Sequence, residues 1–210
     1  NIVTYTGTGV NNRAISHNLG VTPAFIMVKN RDAAYNWDIY HQSLGIGATL
    51  IFTTAATRNA SAFGTTAPTS SNFYTQDQYT NTNGNKYVAY LFAEVPGFSK
   101  FGSYTANANA DGPFIYTGFR PKFVIIKASG MIQEWIMNDA TRSSAGGTNP
   151  INITMQPNSN GSESSANDID YLSNGFKVRV SGSGVNYNSG QTYIYAAFAE
   201  SPFVLNNRAR

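Results

Sequence analysis

The sequence predicts an all-β protein made of two tandem β-sandwich modules, jelly-roll or lectin-like in kind, related by an internal repeat. Three observations carry that prediction. Matched anchors recur 98 to 106 residues apart, which is how a duplicated module shows itself. Short apolar segments are rich in β-branched and aromatic residues, the composition of strands. Asn-Gly, Gly-Gly and Ser-Gly pairs separate them at the spacing of turns.

The first module is read as residues 1–97. Residues 1–5 already have strand character, so the sequence is expected to begin inside a longer polypeptide. Residues 21–29 hold the first anchor, with Pro23, Phe25 and Lys29 around an apolar run at 25–28. Trp37 follows, ahead of a strand-like stretch at 38–41. Asn83-Gly84 marks a tight turn into a closing strand near 87–93. Tyr87, Ala89, Leu91 and Ala93 take one face of that strand, and Val88, Tyr90 and Phe92 take the other. Both faces are apolar, as a strand covered on both sides requires, so the outer face is expected to meet the sister module or another chain.

The second module, residues 98–210, repeats the pattern. Pro121, Phe123, Lys127 and Trp135 stand 98 positions after Pro23, Phe25, Lys29 and Trp37. Pro202 stands 106 positions after Pro96, with Tyr193, Phe198, Ala199 and Glu200 matching Tyr87, Phe92, Ala93 and Glu94. The difference is an eight-residue net insertion, placed in a polar loop at about 141–167 that is rich in Ser, Asn and Gly. Ser189-Gly190 repeats the turn before the last strand. One continuous sandwich built from both halves is the alternative architecture.

Composition narrows the function classes. The 210 residues are 41% hydrophobic, 13% aromatic and 12% charged, with no cysteine. The charged fraction is about half the usual ~25%. Disorder needs charge and few aromatics, so it is excluded, and without thiols so are disulfide scaffolds and thiolate metal sites. No apolar run nears the ~20 residues of a membrane span, so no membrane insertion is expected. The 14 Lys and Arg against 11 Asp and Glu give a net charge of +3, but they are scattered and form no nucleic-acid stripe.

Residues 94–105 and 111–121 resemble a repeated module of bacteriophage tail-fibre-like proteins, seen especially in phages of aquatic bacteria. Residues 169–177 and 192–203 look like the same module, so nearly all of the second unit is covered. The first unit matches at 5–9, 23–30, 37–41 and 86–96 and departs at 50–71. The resemblance implies a virion structural protein of a phage tail fibre or appendage, engaged in host attachment, with other virion proteins as partners. It implies a homo-oligomer, a trimer in the first instance, and names no catalytic residue. A capsid or tail decoration protein, a glycan-binding lectin and a glycan depolymerase are the alternatives.

The candidate chemistry is sparse. Trp37 and Trp135 could each stack on a sugar, although recurrence in both modules favours core anchors. Tyr187, in a Ser, Asn and Gly-rich segment, is a third candidate for ligand stacking. Asp168 and Asp170, alternating along the chain near Glu163, could hold a hard cation such as calcium, or simply edge a solvated loop. Glu94 and Glu200 close equivalent strands, one per module, so they are expected to accept turn hydrogen bonds rather than flank one glycosidic bond. His17 and His41 would need distant carboxylates to bind zinc. Gly7 and Gly9 precede no helix and so cradle no phosphate, and Arg208 and Arg210 read as a solvated tail. No catalytic residue and no cofactor is expected. The loop at 141–167 is the candidate contact surface, for a host glycan or protein.

Overall fold

The computed structural model describes residues 1–58, 62–76, 78–143, 146–165 and 168–200. Pro202, Arg208, Arg210 and Asn167 lie outside them. The protein is all-β: the described residues form antiparallel sheets and contain no helix. The chain divides into two compact units, one of residues 1–52 with 57–94 and one of residues 53–56 with 95–210.

In the first unit, β1 (Ile2–Thr6), β3 (Phe25–Asn30), β4 (Asp38–His41), β5 (Leu50–Ile51) and β7 (Lys86–Phe92) form a five-stranded sheet in the order β1-β7-β3-β4-β5. A second sheet pairs β2 (Arg13–Ser16) with β6 (Asn72–Thr75). Ile15 and Phe73 of the small sheet join Ile26, Val28, Tyr40, Tyr87, Ala89 and Leu91 of the large one in a single core. Alternation along β7 produces this, because Tyr87, Ala89 and Leu91 are buried while Val88, Tyr90 and Phe92 on the other face are half-buried. That second face is not bare: Trp37 packs on Tyr90 at 5.8 Å and Phe25 on Phe92 at 6.1 Å.

The second unit runs through the same order. Its large sheet, β8-β15-β10-β11-β12, is made of β8 (Ser99–Thr105), β15 (Thr192–Ala199), β10 (Pro121–Ala128), β11 (Ile136–Asp139) and β12 (Thr154–Met155). Matched by position, β8, β15, β10, β11 and β12 stand where β1, β7, β3, β4 and β5 stand in the first unit. The small sheet has three strands, β13 (Ile169–Leu172), β14 (Gly175–Val178) and β9 (Phe114–Tyr116). Here β9 and β14 answer to β2 and β6, and β13 is an addition that follows the inserted loop. Ile115, Ile169, Tyr171, Phe176 and Val178 meet Val124, Ile126, Tyr193 and Tyr195 in the core.

The repeat is preserved in side-chain geometry. Tyr5 stacks on Tyr87 at 5.1 Å and 10°, and Tyr104 on Tyr193 at 5.2 Å and 10°. Tyr5 Oη donates to the Thr80 carbonyl at 2.6 Å, and Tyr104 Oη to that of Val185 at 2.7 Å. Burial holds the phenol groups of both Tyr5 and Tyr104 well above their ordinary pKa.

Beneath each tyrosine pair lies a fully buried asparagine. Asn81 Oδ1 accepts from Thr8 N at 3.1 Å, and its Nδ2 donates to the Val10 carbonyl at 2.6 Å. Asn186 Oδ1 accepts from Asn107 N at 2.9 Å and Ala108 N at 3.1 Å. Its Nδ2 donates to the carbonyls of Asn109 at 2.8 Å and Val180 at 2.9 Å. These side chains clamp the turn after the first strand of each unit. The turn takes a left-handed residue in both, Gly9 at φ 72° and Ala108 at φ 53°.

Candidate functional site

A cleft of about 400 Å³ opens within the second unit. One wall is Gln133, Glu134 and Ile136, at the entrance to β11; Gln156 follows β12; and the far wall is residues 180–184, the loop after β14. Each wall has an identifiable support. Asn158 joins the first two: its Oδ1 accepts from Trp135 N at 2.9 Å, and its Nδ2 donates to the Glu134 carboxylate. The loop at 180–184 is held by Asn186, through the Val180 bond and through Asn186 N donating to the Ser183 carbonyl at 3.0 Å. Gly182, at φ 67°, makes the reversal.

The lining is polar and nearly uncharged. Gln133, Gln156, Ser181 and Ser183 offer amide and hydroxyl groups, Glu134 supplies a carboxylate, and Ile136 and Val180 supply apolar contact. Ser183 Oγ is buried and has no hydrogen-bond partner. Lys127, fully buried, donates from Nζ to the carbonyls of Ala128 at 2.9 Å and of Thr54 and Met131 at 3.3 Å each. Burial pushes its amine down to about 8, against the opposing pull of Glu134. Chemically, such a lining can donate and accept hydrogen bonds toward a neutral, hydroxyl-rich ligand and close over its apolar faces.

Residues 1–202 match the family described as Domain of unknown function (DUF7483). The chain belongs to that family. No curated protein and no solved structure matches the chain.

The individual residues singled out by sequence in this DUF7483 chain do not line the cleft, although Gln156 of the polar loop at 141–167 does. Trp135 is 1% exposed, so its ring has no free face for a sugar and it leaves the set of stacking candidates as a core anchor. Trp37 is half-buried, edge-on to Phe52 at 6.5 Å and tilted on Tyr90. Tyr187 is 46% exposed, and its backbone N–H donates to Tyr193 Oη at 3.1 Å.

Asp168 and Asp170, the candidate cation ligands, belong to no acidic cluster among the described residues. Asp170 pairs with Arg179 at 3.3 Å, Glu163 is engaged by Arg142, and no group of three or more His, Asp or Glu side chains gathers among the described residues. An arginine beside the carboxylate supplies the charge that a cation would have brought.

Glu94 accepts from Gln42 Nε2 at 2.9 Å and Glu200 pairs with Arg120 at 3.1 Å, so side chains serve both strand-end carboxylates. His17 and His41 are buried, each taking a backbone N–H on Nδ1, from Leu19 at 3.2 Å and Ser43 at 3.1 Å. In the second unit Asp139 stands in place of His41, and its Oδ1 accepts from Thr141 N at 2.9 Å. Both side chains therefore bond the N–H two residues on, which explains the exchange.

Sequence reasoning passed over Asn81 and Asn186 and the cleft lining apart from Gln156, which lies in the polar loop at 141–167 read as the candidate contact surface. The asparagines had a signal, Asn81-x-Asn83 and Asn186-x-Asn188 ahead of the paired turns. Gln133 and Ser181 had none, being ordinary polar residues on separate segments.

Proposed function

We propose that the chain is a non-enzymatic structural and adhesive module of a bacteriophage tail fibre or tail appendage, acting in attachment to the host cell. Its two units are tandem β-sandwiches of jelly-roll or lectin-like kind, a reading supported by the shared strand order and the two stacked tyrosine pairs. The observation that carries the adhesive role is the cleft of the second unit, whose lining is hydrogen-bonding and, among the described residues, holds a single carboxylate, Glu134. Retaining or inverting glycoside hydrolysis calls on two carboxyl groups about 5–9.5 Å apart, and binding does not. The virion setting comes from the resemblance at residues 94–105, 111–121, 169–177 and 192–203. In that setting the partners are other virion proteins, sister copies in a homotrimer, and a host-surface glycan or protein.

The test is competition. Purified chain added to host cells before the phage lowers particle adsorption in a saturable manner and leaves the released surface carbohydrate uncleaved. Adsorption unchanged at saturating chain, or soluble oligosaccharide released by the chain alone, overturns the proposal.

A further inference from the structure

We infer that the cleft of the second unit takes an uncharged saccharide by a pair of adjacent hydroxyls and discriminates against acidic sugars. The biological setting rests on the adhesive reading above; the chemistry belongs to the cleft. Its volume of about 400 Å³ lies within the range of small-molecule sites.

Three of the hydrogen-bonding side chains there lack partners of their own. Among the described residues neither the Gln133 nor the Gln156 side-chain amide makes a hydrogen bond, although both residues are half-buried. Ser183 Oγ is buried and unpartnered. Buried polar groups are ordinarily satisfied, so Ser183 Oγ marks a place where a ligand or water completes the bond, and the Gln133 and Gln156 amides on the same lining are half-exposed groups with their bonding capacity unspent within the protein. A sugar hydroxyl donates one bond and accepts two, and so it can serve a carboxylate and an amide N–H together.

Glu134 sets the polarity of the arrangement. Asn158 engages its carboxylate, which still has lone pairs free to accept from two neighbouring hydroxyls. Its negative charge opposes a ligand carboxylate. The cation acting on Glu134, Lys127, is fully buried and spends its donors on backbone carbonyls, so it is not offered to a ligand. Among the described residues no Arg or Lys lines the cleft to receive an acid group. Ile136 and Val180 provide contact for C–H groups. Among the described residues no aromatic ring lines it, so a single site binds weakly, on the order of millimolar, and depends on several copies for avidity.

The experiment is an amide-resolved NMR titration of the full chain. The probes are neutral methyl glycosides of the gluco, galacto, manno, rhamno and N-acetylgluco series, with glucuronate and N-acetylneuraminate as acidic probes. At least one neutral glycoside is expected to shift the amides of Gln133, Glu134, Gln156 and residues 181–184 saturably, with the acidic probes about tenfold or more weaker. Glu134→Gln should lower the neutral affinity about tenfold and abolish discrimination against glucuronate. Gln156→Ala, a half-buried change outside any strand, should weaken binding several-fold with the spectrum otherwise intact.

The inference is overturned if no neutral glycoside produces saturable shifts there, if acidic probes bind equally well, or if Glu134→Gln changes nothing. Adhesion separates the two ideas. Host-cell binding that survives Gln133→Ala/Gln156→Ala removes the saccharide cleft and leaves the adhesive reading standing. Cleft shifts from a chain that binds no host cells do the reverse.

Discussion

Asn186→Ala removes the side chain that ties the far wall of the cleft to the second unit. The wild-type amide makes bonds of 2.8–3.1 Å to Asn107, Ala108, Asn109 and Val180 and is wholly buried. Alanine leaves two backbone N–H groups and the Asn109 and Val180 carbonyls unanswered. At about 0.5–1.5 kcal/mol per bond lost, and more for a donor that stays buried, the cost is about 3–5 kcal/mol. For a unit of this size that lowers Tm by roughly 10–20 °C. Scanning calorimetry reads the shift. Hydrogen exchange reads its local consequence, faster exchange at residues 180–185, because the Val180 carbonyl at the head of that loop loses the Asn186 Nδ2 donor. A Tm change under about 3 °C with protection at 180–185 unchanged would refute the role given to Asn186.

Other perturbations test the first unit and the two tryptophans. Arg58→Ala strands Asp38, which is 2% exposed and ion-paired with Arg58, and should cost about 3 kcal/mol near neutral pH by equilibrium unfolding. Burial raises Asp38 from 3.8 to about 6 in spite of Arg58, so its ionised form costs stability. That contribution is favourable below about pH 4 and lost as pH rises through about 6, so denaturation midpoints of the wild type minus those of Asp38→Asn should fall across that interval. His17 has the opposite sign. Burial lowers its pKa, so its contribution is present above 6.5 and lost as pH falls below it, and His17→Gln should flatten that acid limb in the same unfolding series. Trp135→Ala should cost about 3–5 kcal/mol as a fully buried ring, and Trp37→Ala about half of that, measured by calorimetry.

The sequence made the strands that carry rare, matched residues legible. Pro23 and Pro121, Phe25 and Phe123, and the closing strands mark β3, β10, β7 and β15 because tight packing restricts what each position accepts. The added strand β13 was not legible, since it lies beyond the inserted loop where the first unit offers no counterpart. Lys29 and Lys127 match in sequence and differ in environment: Lys29 reaches the Tyr35 carbonyl from a partly exposed position, whereas Lys127 is sealed among three carbonyls. Asp38 shows the same limit. It is a buried ion-pair partner where the second unit has Ile136 at the same register position, and only tertiary context makes the two exchangeable. Of the cleft only Gln156, in the polar loop at 141–167, was legible, because the lining residues are brought together from three separate segments and a single sequence shows no spacing between them.

Location within the particle bears most directly on the whole account. Antibody fragments raised against the chain, imaged by electron microscopy on intact virions, should decorate the tail fibres or tail appendages at several copies per particle. Decoration of the capsid lattice, or particles that carry no label, would contradict it.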